Sequence, residues 1–252
     1  MKIHKESCTA GNTGSFQEGI TRKSLLPDVV NSVTTLFYGL QERKFIEFFP
    51  DKDRLSVFLF TSGRGIMKLN GHELMIDEVA LFVPGPRDVA LIISKAGGLG
   101  VLQIQLELSL KDHAFLEKKQ NKLPYFITYS CCKRYREVIK SKKTINRTLL
   151  PDHVVPRLCI GSVETTGPDQ IEPHSHPELE QFFFGLDSNH CRVTADTAIS
   201  GFRENDFLHI PSGSVHGVTV EAGHKLHYVW IDIFRNLEDM SYIKDHHLQI
   251  DD

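Results

Sequence analysis

Two histidines separated by one residue, His174 and His176, precede a glutamate, Glu180, and a third histidine, His216, follows the turn-forming run Pro211-Ser212-Gly213. On an extended strand residues i and i+2 share a face, so His174 and His176 project side by side, near enough to hold one ion. Glu180 lies across the small turn that Pro177 begins and can fold back onto that face. Three neutral imidazoles and one carboxylate suit Fe, Mn, Ni, Co or Zn, and suit Ca and Mg poorly. The expected centre is one divalent transition metal ion on His174, His176, Glu180 and His216, with one or two coordination positions left for water or substrate. A lone histidine is more often a surface or hydrogen-bonded residue. The weight rests on the combined spacing.

Around this set, Gln181 is expected to point to the opposite face from Glu180 and to be structural. His209, two residues before Pro211, is a candidate to support a ligand. His190, His224 and His227 lie on strands of unfixed facing, and an inward one would be a candidate acid or base. Glu180, if weakly bound, could double as base. Phe182, Phe184, Tyr228, Trp230 and Asp232 lie on strands that could wall a pocket, although period-two apolar residues are more often plain core.

The elements that must hold these residues read as short strands rich in Val, Ile, Phe and Leu. They are expected at 55–61, 66–69, 79–83, 89–93 and 99–108, and again at 157–165, 180–186, 190–194, 197–200, 207–210, 217–221 and 226–234. Many short strands in each half point to a sandwich or barrel. Leu25-Leu26-Pro27-Asp28 recurs as Leu149-Leu150-Pro151-Asp152, and the Phe82-Val83-Pro84-Gly85 region has a counterpart at His209-Ile210-Pro211-Ser212-Gly213. Matched landmarks in the same order indicate a tandem duplication. Between the halves, residues 111–146 are charged. Short helices are expected near 112–120 and 131–141, with Pro124 separating them. The expected organisation is an N-terminal barrel over 1–110, a helical linker over 111–146 and a C-terminal metal-binding barrel over 147–252.

The 252 residues carry 29 Lys and Arg against 32 Asp and Glu, a net charge of −3, which offers no field to hold a polyanion, so nucleic acid is not an expected partner. No apolar run approaches the ~18 residues of a membrane span, and the first 16 residues lack a secretory apolar stretch. No membrane partner and a cytoplasmic location are the expectation. Five cysteines with no CxxC pair read as reduced thiols.

With these residues in place the sequence resembles the cupin superfamily, whose first motif is Gly-x5-His-x-His-x3-4-Glu-x6-Gly and whose second is Gly-x5-Pro-x-Gly-x2-His-x3-Asn. His174 through Glu180 match the first, with Gly167 one residue farther from His174 than the pattern asks and Gly185 two residues early. Pro211, Gly213 and His216 match the second, while Gly201 is farther from Pro211 than the pattern asks and Thr219 or Val220 stands near the Asn place. The resemblance implies an all-β protein of two tandem double-stranded β-helix, jelly-roll barrels, a bicupin, with His174, His176, Glu180 and His216 as metal ligands. In the first half the repeat places Phe49, Asp51 and Leu55 near the ligand positions, so that barrel is read as degenerate. Asp51, Asp53 and Asp88 read as solvated rather than as a cation site. The implied activity is that of a metal-dependent cupin enzyme, of isomerase, lyase, hydrolase or dioxygenase type, on a small polar or carboxylate-bearing molecule. The alternative is a non-catalytic bicupin that binds or senses a small-molecule ligand. A homodimer is expected from the same resemblance. The 18 residues after Phe234 leave no room for a helix-turn-helix domain, which weighs against a regulator of transcription.

Overall fold

The computed structural model describes residues 2–9, 15–118, 122–241 and 248–249. The chain forms two compact units, one of residues 8–131 and one of residues 1–7 with 132–252. Strand β1 (His4–Ser7) therefore belongs with the C-terminal half. The first unit contains β2 (Ser15–Gln17), β3 (Ile20–Ser24), β4 (Val33–Leu40), β5 (Phe45–Phe48), β6 (Arg54–Leu69), β7 (His72–Ile76), β8 (Ala80–Val83) and β9 (Ala90–Glu107). Helix α1 (Leu110–Lys118) and strand β10 (Tyr125–Thr128) complete it. The second unit continues with β11 (Lys133–Arg136), β12 (Ile145–Leu150), β13 (Leu158–Thr166), β14 (Asp169–His174), β15 (Leu179–Gly185) and β16 (His190–Ala195). It ends with β17 (Ala198–Arg203), β18 (Asp206–Ile210), β19 (His216–Val220), β20 (Lys225–Phe234) and β21 (Leu248–Gln249).

All of the described strand pairs are antiparallel, and the all-β, jelly-roll reading holds. In the second unit the larger sheet runs β1-β18-β15-β20-β13-β12-β11-β21 and the smaller one β14-β19-β16-β17. In the first unit the order β10-β8-β6-β9-β4-β3 repeats the larger sheet strand for strand, with β10 in the place of β1. The far ends of β9 and β6, flanked by β5 and β7, repeat the smaller sheet as β5-β9-β6-β7. The duplication read from Leu25-Leu26-Pro27-Asp28 and Leu149-Leu150-Pro151-Asp152 thus marks the same hairpin connection twice, β3 to β4 and β12 to β13.

The two units differ at the barrel corners. In the first, β6 and β9 each pass through the corner as one bent strand, so the expected pieces 55–61 with 66–69, and 89–93 with 99–108, are single elements. Gly63 and Gly98 allow this. Both have positive φ, and a Cβ on Gly63 would run into the Gly98 carbonyl. Register shifts flank that point, as bulges that turn a sheet do. In the second unit turns break the corresponding path into β15 with β16 and β19 with β20.

The linker differs from expectation. Residues 110–118 form the first helix, and its last expected positions, 119 and 120, lie outside the described residues. No helix follows at 131–141. A single 3-10 turn at Tyr129–Cys131 leads into β11, which joins the larger sheet of the second unit between β12 and β21. Alternation explains it: Tyr135 is buried between exposed Arg134 and Arg136, a period of two that a strand satisfies and a helix would not.

Each barrel is filled by its own core. Phe58, Phe60, Phe82, Met67 and Val101 centre the first, and Phe183, Phe202, Leu208, Tyr228 and Trp230 the second. Gly161 on β13 lies opposite Trp230 on β20, and a Cβ there would run into the indole and come 2.6 Å from the Arg147 carbonyl. Gly161→Ala should destabilise the second unit by about 1–3 kcal/mol through overpacking. Gly201→Ala, where the added carbon meets nothing within 4 Å, should stay within about 0.5 kcal/mol. Denaturant curves followed by the fluorescence of Trp230, the single tryptophan, measure both, and equal midpoints would show that the crowding is not there.

Candidate metal centre

Strands β14 and β19 pair regularly from Asp169 opposite Val220 to Ile171 opposite Val218, then the register shifts and His174 stands directly across from His216. The extra residue in β14 is accommodated at Glu172-Pro173. Proline suits such a bulge because it has no N–H to give the ladder. His176 follows two residues later. Its carbonyl accepts the Gly213 N–H at 3.0 Å, which ties the His-x-His segment to the turn before His216. In that turn the Ser214 N–H donates to the Pro211 carbonyl at 3.1 Å, and Gly213 takes φ +78° at the position where a type II turn demands it.

The three imidazoles form one cluster. Ring centroids lie 4.8 Å (His174–His176), 4.4 Å (His174–His216) and 5.3 Å (His176–His216) apart. One ligand atom from each lies within 4.8 Å of the others. In His174 the Nδ1–H donates to the Glu172 carbonyl at 2.7 Å, and in His216 the Nδ1–H donates to the Ser214 carbonyl at 3.1 Å. Each bond fixes a tautomer with its lone pair on Nε2, the way backbone carbonyls orient metal-ligating histidines. The Nε2 of His216 is buried without a hydrogen-bond partner. Burial, reinforced by the neighbouring His174, lowers the pKa of His216 to about 4, so this imidazole is a neutral donor at neutral pH. These observations fit a divalent transition ion, which takes neutral imidazole.

Glu180 is not with them. The turn 175–178 delivers β15 so that Glu180 faces β18, where its Oε2 accepts from His209 Nε2 at 2.9 Å and from the Ser212 N–H at 3.0 Å. Partial burial raises its pKa, but these hydrogen bonds outweigh that and hold it below the usual carboxylate value. The expected fourth ligand therefore braces the Pro211-Ser212-Gly213 turn instead. By the same alternation Gln181, expected to face away, lines the cavity that holds the triad. The signal available in the sequence was the alternative motif spacing, in which four residues rather than three follow the second histidine. The group standing there is an amide.

That cavity measures about 530 Å³. Phe183, Tyr228 and Trp230 wall it, together with Asp232, whereas His190, His224 and His227 do not line it. His227 instead bonds the Asp187 carbonyl at 3.2 Å. Asp232 Oδ1 accepts from Gln181 Nε2 at 2.7 Å. Burial raises the Asp232 carboxyl to about 7, only partly offset by that bond. At one wall Lys140 and Glu137 form an ion pair at 2.7 Å, nearly shielded from solvent. In the first unit the place of His174 opposite His216, the last residue of β14 against the first of β19, is taken by Phe48 opposite Ala90, on β5 and β9. Phe48 packs edge-on against Phe58 at 4.7 Å. Asp88 there accepts from Asn70 Nδ2 and the Gly85 N–H, both at 2.7 Å, and Asp51 from the Asp53 N–H at 2.9 Å.

No protein-family model matches the chain, and no curated protein matches it significantly. Solved structures do. Oxalate decarboxylase of Lactobacillus farciminis, in a formate complex, superposes with a TM-score of 0.67 at 12% identity over 92% of this chain and 86% of its own. Bacillus subtilis oxalate decarboxylase gives 0.67 at 12% identity over 91% and 76%. A cupin 2 conserved barrel domain protein from Leptotrichia buccalis gives 0.57 at 12% over 85% and 88%. The chain has the cupin fold, and similarity at this level of identity speaks for the fold alone. No helix among the described residues is long and apolar enough to cross a membrane.

A carboxyl whose folded pKa is about 7 against an ordinary 3.8 holds its proton more tightly folded than unfolded. The stability tied to it is complete below about pH 4 and is lost as pH rises through about 7. Between pH 5 and pH 8 the metal-free protein should lose about 2–3 kcal/mol from this group. Asp232→Asn, lacking the titration, should gain that much on the parent between the two pH values in urea curves read at Trp230. A variant-minus-parent difference equal at both would show an ordinary carboxylate.

Proposed function

We propose that this protein is a metal-dependent cupin enzyme whose C-terminal barrel holds one divalent transition metal ion on His174, His176 and His216. Its substrate is a small polar or carboxylate-bearing molecule. The observation that carries the reading is the convergence of three histidine ligand atoms within 4.8 Å of one another in a cavity of about 530 Å³. Structures of the same fold support the class of chemistry. One is described with formate and another with Mn(II) centres, which makes manganese the first ion to try.

When bound, such an ion acts as a Lewis acid toward a carboxylate, carbonyl or water oxygen. The chain's own residues supply the rest. The Glu172 and Ser214 carbonyls fix the tautomers of His174 and His216 that carry the lone pair on Nε2. Phe183, Tyr228 and Trp230 give the space beside the triad an aromatic wall. Asp232, at its pKa, can hold a proton at the carboxyl oxygen that does not accept from Gln181. The Lys140–Glu137 pair adds a charged wall without adding net charge.

Elemental analysis of protein purified without a metal-affinity tag or chelator tests this. The parent should carry close to one equivalent of Mn, Fe, Co, Ni or Zn, and the His174→Ala/His176→Ala variant none, with its fold kept. A parent that takes up no metal even after reconstitution would sink the metalloenzyme reading and leave a barrel that binds its ligand by shape and hydrogen bonds.

A further inference from the structure

Beside Oε2 of Glu178, two further buried side-chain atoms of residues lining the cavity have no hydrogen-bond partner, and one ion could serve both. One is Nε2 of His216, already placed in the triad. The other is Oε1 of Gln181, a side chain 7% exposed that lines the same space. Buried amide oxygens without a partner are rare, and one beside a metal-ligand cluster calls for an ion as its missing partner. The orientation of the amide is set by chemistry. Asp232 Oδ1 accepts from Nε2 at 2.7 Å, which commits the nitrogen end to β20 and leaves the oxygen end free. Gln181 and Asp232 are directly opposed across β15 and β20, so the backbone ladder holds the pair in register. On the opposite face of β15, Glu180 is engaged by His209 and Ser212.

We propose that Gln181, through Oε1, is the fourth protein donor to the metal, with Asp232 as its positioning residue. The inference rests on the metal-binding reading of the triad. Its consequence is a change of charge. Three imidazoles and an amide are all neutral, whereas a glutamate in the fourth place would cancel one of the ion's two positive charges. The four protein donors leave the bound divalent ion its full charge, and the ligand that best completes it is an anion, a small carboxylate first.

Manganese titration of the chelator-treated protein, with the free ion counted by its EPR signal, separates the possibilities. Gln181→Ala and the volume-matched Gln181→Met should bind Mn(II) at least 10-fold more weakly than the parent, with parental Trp230 fluorescence showing that the barrel is intact. Gln181→Glu should bind as tightly or more tightly. Formate added to the Mn(II)-loaded proteins should perturb the bound-ion spectrum at lower concentration in the parent than in Gln181→Glu. Parental affinity in both Gln181→Ala and Gln181→Met would overturn the assignment while leaving the triad standing. A parent that binds no Mn(II), Co(II) or Zn(II) would overturn the assignment together with the metal reading. Equal formate response in parent and Gln181→Glu would overturn the charge argument.

Discussion

The site depends on one irregularity in one ladder. Were β14 paired with β19 in the regular register that holds from Asp169 to Ile171, His174 would not stand across from His216. Side-chain facing has a period of two, so a slip of one residue moves a group to the other side of its sheet. The bulge at Glu172-Pro173 spends one residue on that slip. The turn after Pro211 then supplies the third imidazole, and its Gly213 N–H reaches back to the His176 carbonyl, so the pieces of the cluster are mutually referenced. The same parity rule operates on β15, where it sends Glu180 to the neighbouring strand and Gln181 into the cavity.

The two barrels share one plan, and among the described residues the histidine cluster stands in the second. Strand order is common to both. Where the second unit sets imidazole against imidazole, the first sets Phe48 against Ala90 and continues into the Phe58 and Phe82 stack. Polar residues near its corresponding turn are used locally, with Asp88 capping the Pro84-Gly85 bend through the Gly85 N–H. The unbroken passage of β6 and β9 through the glycine corner belongs to the same change.

Much of this was legible in the residues because the controlling signals are local. Strands over 80–83, 190–195 and 206–210 announce themselves by β-branched and aromatic runs between turn formers. The His-x-His and Pro-x-Gly-x-x-His spacings carry the cluster, although only His174 lies on β14 and His176 follows it in the connection to β15, held by the Gly213 N–H. What could not be read was parity across a turn. Whether Glu180 or Gln181 faces inward is decided by the path of residues 175–178, and the two outcomes differ by one position. The strand at 133–136 was obscured for a related reason: its four residues include three basic ones, and pairing with β12 and β21 makes an extended conformation worthwhile. Strands such as β4 and β14 were also unannounced, β14 because a short, mostly polar strand with a proline has little β signal of its own.

The β1 pairing sets an order of assembly. Its residues pair with β18 across a separation of about 200 positions, bound at one point by Lys5 to the Asp206 carboxylate at 3.2 Å. Everything the first unit needs lies between those partners, within residues 8–131. That barrel can close while β1 still has nothing to pair with, because β18 has yet to leave the ribosome. Closing so long a loop adds entropy slowly with length but takes place late. Until it does, the strand carrying His209, the brace of Glu180, is an open sheet edge, the surface through which chains associate wrongly. The segment that looks least informative in the sequence is thus what covers the β18 edge of the larger sheet of the second unit.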